Sequence, residues 1–209
     1  MKRLRFPQRQ QRIAEDYEES WINSRRTAPD PGLRDSYEKL PKSKVRLLAC
    51  RLEKAVNHGG LVRLAECFRL EHVFFEKELD EAVDLSGMKG AHEWQPHEFG
   101  DLIDELGRLR AEGWTIYGLT LGQNSIGIQA CDWKFPCAIV VGEERLGVRD
   151  DILALCHHTV AIPLWGITTS LNVGQAAAIA VHSAVQQYAR ETFFEPARET
   201  SRGLLRKLR

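Results

Sequence analysis

The chain has 209 residues, 43% of them hydrophobic and 28% charged, which is enough for one α/β domain and a terminal extension but short for two independent enzyme domains. No run of about 18 apolar residues occurs that could span a bilayer, and Met1 to Gln11 lacks the apolar stretch of a secretory signal, so a cytoplasmic location is expected. Five cysteines (Cys50, Cys67, Cys131, Cys137, Cys156), odd in number and without a CxxC pair, exclude a disulfide framework and a zinc cage, and no metal is expected.

The net charge of zero hides an asymmetry. Residues 1–54 carry 14 Lys/Arg against 8 Asp/Glu, residues 188–209 carry 6 against 3, and the segment between them carries 9 against 18. A polyanionic partner would be drawn to the basic ends, because phosphate contacts need local Lys/Arg density. Solvated charge on exposed helices and tails is the alternative reading.

In chain order, residues 8–26 have helix-forming composition with Ile13, Tyr17 and Trp21 spaced by four, a helix with a narrow sticky stripe. Thr27 to Asp35, with two prolines and a glycine, reads as a linker. Residues 1–44 are therefore expected to form a basic helical extension, 45–190 the main domain, and 191–209 a basic tail. Within the domain, apolar runs of strand length are Val45 to Leu52, His72 to Phe75, Thr115 to Leu119, Cys137 to Val141 and Thr159 to Ile162. Such near-continuous apolar strands suit a parallel sheet covered on both faces. Helical patterns cover Gly59 to Phe68, Pro96 to Ala111 with Gly113 as a stop, and Leu171 to Arg190 with a small-residue apolar side. The expected class is α/β, a parallel sheet flanked by helices, with loops at the strand carboxyl ends where such sheets hold ligands.

Three segments sit in those loops. In NHGGLVR (Asn57 to Arg63), Gly59 and Gly60 would let the chain turn into a helix whose first turn offers free N–H groups to an anion beside Arg63. A plain glycine-bearing turn with a surface arginine is the alternative. In VVGEERLGV (Val140 to Val148), Gly142 and Gly147 frame Glu143 and Glu144, without the spacing of a dinucleotide or phosphate loop. In IPLWGITTSLNVGQAAA (Ile162 to Ala178), Thr168, Thr169, Ser170 and Asn172 put side-chain oxygens where the final helix begins, more than one cap requires. Trp165 reads equally as a base-stacking platform or as core. His157 and His158 follow Cys156, but adjacent residues point apart and make a poor metal site. No GxSxG or HExxH pattern occurs.

In this order, the three segments resemble the SPOUT superfamily, specifically the TrmH-like ribose 2′-O-methyltransferases, over roughly Val45 to Arg190. Asn57 and Arg63 match the first motif, Gly142, Glu144 and Gly147 the second, and Ser170, Leu171 and Asn172 the centre of the third. NHGGLVRLAECF, GMKGAHEWQP, WKFPCAIVVGEERLGV and SLNV look most like the catalytic domain of eukaryotic-type tRNA methyltransferases that act on a D-loop guanosine. The resemblance implies a carboxyl-terminal deep trefoil knot, with Ile162 to Asn172 threaded through a loop. It also implies S-adenosylmethionine as cofactor, held by Leu119, Thr120, Gly122, Gly142, Ile162, Leu164 and Leu171. A homodimer is implied, the first motif of one subunit completing the site of the other.

In that frame Arg63 acts on the ribose hydroxyl. A guanidinium with pKa above about 12 is a poor base, so a phosphate-assisted role is preferred. Asn57 would orient Arg63, Glu144 would hold it or the ribose, and Ser170 and Asn172 would fix the loop and the target nucleotide. Arg9, Arg12, Arg25 and Arg26 on the amino-terminal helix are the candidate tRNA contacts. The rival readings are an rRNA methyltransferase of the same family, a catalytically silent RNA-binding knot protein, and a Rossmann-type oxidoreductase, which lacks its glycine fingerprint here.

Overall fold

The structure is a computed structural model and describes residues 40–77, 91, 94–143 and 145–194. The helix expected over 8–26 with Arg9, Arg12, Arg25 and Arg26, the linker Thr27 to Asp35, Glu144 and the tail beyond 194 lie outside the described residues. Pro41–Thr200 forms one compact unit.

Side-chain alternation along the strands sets the layers. On β1 (Ser43–Ala49), Val45, Leu47 and Ala49 point to one core and Leu48 to the other. On β6 (Cys137–Val141), Cys137, Ile139 and Val141 join the first core, and Ala138 and Val140 the second. β6 is apolar on both faces because both are covered, and β1 is so from Leu47 onward, its earlier Lys44 and Arg46 pairing with Glu71. Among the described residues, strands β2 (Leu70–Glu76), β3 (His97–Gly100), β4 (Thr115–Leu119), β5 (Ile126–Gly127) and β7 (His158–Ala161) complete a seven-stranded sheet of order β3-β2-β1-β6-β4-β7-β5. Every pairing is parallel.

Helices α1 (Ala55–Cys67) and α4 (Val173–Thr192) cover one face through Leu61, Val62 and Ala65, and through Ala177, Ala180, Val181 and Ala184. Helices α2 (Leu102–Ala111) and α3 (Asp150–Leu153) cover the other through Leu102, Leu106, Leu109 and Ile152. This is the parallel α/β sheet flanked by helices that the apolar runs implied. Among the described residues no helix is long and apolar enough to cross a membrane.

Strands β4 and β6 have the expected bounds, β1, β2 and β7 differ from expectation by one to three residues at their ends, β5 and α3 were not expected, and the three longer helices depart in their starts. Helix α1 starts at Ala55, four residues early, so Gly59 and Gly60 lie inside it rather than in a turn before it. Two helical glycines cost about 1 kcal/mol each relative to alanine. Burying Leu61 and Val62 completely, at roughly 1.5–3 kcal/mol each, outweighs that, so packing overrides propensity. The helix expected from Pro96 is split: His97–Gly100 pairs with β2 as strand β3, and the helix begins only after Asp101, whose Oδ1 accepts the Asp104 amide at 3.0 Å. Phe99, expected on a helix face, stacks on Phe75 from the neighbouring strand instead. Gly113 does end α2, with φ +82°. The last helix begins at Val173, capped by Asn172.

These contacts carry consequences for stability. Asp101→Ala removes the α2 cap and should cost about 1 kcal/mol in urea denaturation. His72 and His157 are both held below the usual histidine range, chiefly by burial, with Arg46 and His97 adding to it at His72 and Arg110 and His158 at His157. His157 Nδ1 accepts the Ile116 amide at 2.9 Å and must be unprotonated there. The unfolded chain thus binds protons that the native state resists, so the contribution of these two histidines to stability is complete above about pH 6.5 and is lost as pH drops below it. The urea midpoint should be lower at pH 5.5 than at pH 7.5, and a His72→Gln/His157→Gln double variant should flatten that difference.

Candidate functional site

A cavity of about 310 Å³ opens at the carboxyl ends of the adjacent strands β6, β4 and β7, the edge where open parallel sheets place ligands. Leu119 and Thr120 leave β4 into it, Val141 and Gly142 leave β6, and Ile162 and Leu164 leave β7. Ser170 and Leu171 close it from the start of α4. Six of the seven residues expected to hold the cofactor (Leu119, Thr120, Gly142, Ile162, Leu164, Leu171) therefore line one cavity. Gly122 does not; its carbonyl accepts the Ser125 amide at 3.1 Å and shapes the turn after β4. Glu143 and Thr169, singled out in the sequence without a cofactor role, also line the wall, and so do Arg145, Leu146 and Ala176, which sequence reasoning missed as site residues. Their one sequence signal is adjacency to the glycines and hydroxyls already singled out.

The wall from β6 has little freedom. A Cβ on Gly142 would sit 2.0 Å from the Gly147 carbonyl carbon and 2.3 Å from the Val148 nitrogen, backbone atoms that have nowhere to go. Glu143 and Gly147 exchange two backbone hydrogen bonds, at 3.1 and 3.2 Å, and Gly147 has φ +73°. Glycine at both positions is thus a steric and conformational requirement of a tightly wound loop that presents backbone groups to the cavity.

The first and third segments meet. Asn172 Oδ1 accepts the Gly174 amide at 2.9 Å, and its Nδ2 donates to Asn57 Oδ1 at 3.4 Å, across 115 residues. Asn57 is only 8% exposed. Arg63 is not part of that meeting. It lies six residues on, about 240° around α1 at 3.6 residues per turn, on an exposed stripe with Val56, Gly60 and Cys67, and it makes no hydrogen bond or ion pair among the described residues. Helix α4 carries a matching exposed stripe of Gln175, Ile179, His182 and Gln186.

Trp165 is 89% exposed and so is not core, and Ile167 beside it is fully exposed. The five cysteines are free thiols. Burial pushes Cys50 and Cys131 up to about 11 and Cys156 up to about 12, which removes thiolate chemistry at neutral pH.

The site's segments recur in known proteins. The SpoU rRNA Methylase family profile matches residues 44–182. Among curated proteins, the Escherichia coli strain K12 tRNA (guanosine(18)-2′-O)-methyltransferase is 29% identical over 124 residues, covering 56% of this chain and 54% of that one. The chain thus spans about half the length of that relative. The solved TrmH/SpoU tRNA modifying enzyme of A. aeolicus superposes with a TM-score of 0.69 at 22% identity, over 84% of this chain and 90% of that one. The AviRb methyltransferase of Streptomyces viridochromogenes, solved with AdoMet, superposes with a TM-score of 0.61 at 22% identity, over 79% and 63%. The match runs from β1 through most of α4 and takes in every element that borders the cavity, so the chain belongs to the SpoU rRNA Methylase family.

Proposed function

We propose that this chain is an S-adenosylmethionine-dependent RNA ribose 2′-O-methyltransferase acting on tRNA, at a D-loop guanosine. The observation that carries the reading is the convergence of the second and third segments on one cavity, with Asn57 of the first tied to Asn172 beside it. The E. coli relative supports tRNA as the substrate class. The family description, an rRNA methylase, favours rRNA as the second reading. In this proposal residues 45–190 form the catalytic domain, residues 1–44 and 191–209 meet RNA through residues such as Arg9, Arg12, Arg25 and Arg26, and the protein works in the cytoplasm.

The residues present fit the cofactor. Leu119, Ile162, Leu164 and Leu171 offer apolar walls for a purine, and the loop from Gly142 to Gly147 brings backbone groups where a side chain at 142 would fill the space. When bound, S-adenosylmethionine supplies an electrophilic methyl group on a sulfonium. The protein's task is then to hold a ribose hydroxyl in line with it. In the proposed arrangement Ile162 to Asn172 belongs to a trefoil knot, and Thr169, Ser170 and Asn172 orient the target nucleotide.

Arg63 would act on the cavity of a second copy. It faces away from the Asn57–Asn172 contact, and its stripe on α1 and the stripe on α4 carry large exposed apolar side chains, Val56 at 65% and Ile179 at 42%, with little charge. Surfaces of that kind suit a twofold interface. There Arg63 grips the phosphate next to the target nucleotide and stabilises the developing alkoxide, while the phosphate or a water takes the hydroxyl proton. Glu144 would hold Arg63 or the ribose.

Assays with labelled S-adenosylmethionine on separate tRNA and ribosomal RNA transcripts test the substrate, and label appearing in ribosomal RNA alone would replace the tRNA reading with the second one. Arg63→Ala should abolish transfer while calorimetric affinity for S-adenosylmethionine stays within about threefold; a loss of orders of magnitude would make Arg63 a pocket or folding residue. Gly142→Ala should abolish cofactor binding outright. Mixing the two inactive variants should restore up to about a quarter of wild-type activity, the share expected from randomly exchanged dimers with one intact site each. No recovery after demonstrated subunit exchange would place Arg63 in its own subunit's site.

A further inference from the structure

The exits of β1, β2 and β6 are joined by one guanidinium that does not line the cavity. Arg149 Nη1 lies 2.8 and 2.7 Å from the two carboxylate oxygens of Glu76, the last residue of β2. Its Nε and Nη2 take both oxygens of Asp151, at 3.1 and 3.2 Å. Glu76 Oε2 also accepts the backbone amide of Arg51 at 2.9 Å, and the preceding amide, Cys50, donates to the Val141 carbonyl at 2.9 Å. Successive amides leaving β1 are thereby bonded to the end of β6 and to the carboxylate that grips Arg149. At the loop's tip, Arg145 lies 3.9 Å from Glu53 in the same β1 exit.

These contacts bracket the β6 loop. Its near end is held by β6 itself, and its far end is held by Arg149, two residues past Gly147 and one past the buried Val148. Between them the loop has no slack, because Gly142 touches Gly147 backbone to backbone and the Glu143–Gly147 pair closes the turn. A shift at Arg149 must therefore move the Gly147 wall of the cavity. A guanidinium is suited to this, since its planar fork fixes orientation as well as distance.

We propose that Glu76 and Arg149 are positioning residues that set the cofactor wall of the cavity through the loop from Gly142 to Arg149. The proposal rests on S-adenosylmethionine being the ligand of this cavity. Glu76 and Arg149 are partly exposed, their side chains 18% and 38% accessible, so their removal falls mainly on the loop's geometry and little on global stability.

The test uses the full chain and the variants Glu76→Gln, Arg149→Gln, the double variant and Arg149→Lys. Calorimetry should give a tenfold or greater loss of affinity for S-adenosylmethionine in each single Gln variant. The double variant should be no worse than the weaker single, as for two groups acting as one unit. Arg149→Lys, which keeps the charge and loses the fork, should fall between. RNA affinity of the cofactor-free protein and its melting temperature should stay near wild type. Without ligand, hydrogen exchange at the Glu143 and Gly147 amides should quicken in the single variants and not in Arg149→Lys to the same degree. Wild-type affinity in both single variants, or a loss of affinity that tracks a fallen melting temperature, overturns the proposal. Wild-type protein that fails to bind S-adenosylmethionine overturns the functional reading instead, and the exchange rates of the two loop amides then decide the clamp.

Discussion

The central position of β6 is the constraint on which the rest depends. Its five residues are buried on both faces and pair in parallel with β1 on one side and β4 on the other. Parallel pairing sends all three chains out at the same edge, so the loops carrying the conspicuous residues open side by side. A cavity there is a consequence of topology. Its opposite wall comes from the residues that follow β7, the strand on the far side of β4, and from the start of α4.

The cavity's rigidity comes from backbone more than from side chains. Gly142 and Gly147 allow one loop to fold on itself with no intervening atom, and Asn172 ends the opposing loop by capping α4. Each device satisfies backbone groups locally, which lets apolar side chains share the cavity wall without stranding hydrogen-bonding groups. The Asn57–Asn172 contact adds a link between the first and third segments. Asn172 thereby serves as both helix cap and tie, a dual use that explains why an amide stands there rather than one of the neighbouring hydroxyls.

The helices divide the labour. α2 and α3 fill the second core and contribute nothing to the cavity wall, whereas α1 and α4 cover the other face and carry outward stripes of mixed character, apolar at Val56 and Ile179 and formally charged only at Arg63. That contrast is the physical basis for placing a second copy against α1 and α4. A Cβ added at Gly60 would meet no atom within 4 Å, so no close approach requires glycine at that position of α1.

Apolar runs alone determined the class and the strands β4 and β6 to the residue, because strands covered on both faces leave an unbroken hydrophobic signal, whereas the grouping of Gly142, Ile162, Leu164 and Leu171 around one site came from the family resemblance. Local pattern misplaced the start of α1 and missed β3, since a four-residue strand at a sheet edge and a glycine-bearing helix are both stabilised by partners far away in sequence. Resemblance supplied Arg63 and Asn57 together, yet only the folded chain separated them, turning one toward Asn172 and the other outward. Arg149 carried no recognisable pattern at all. Its partner Glu76 lies 73 residues away, and an ion pair between two strand exits exists only once the sheet has brought those exits together.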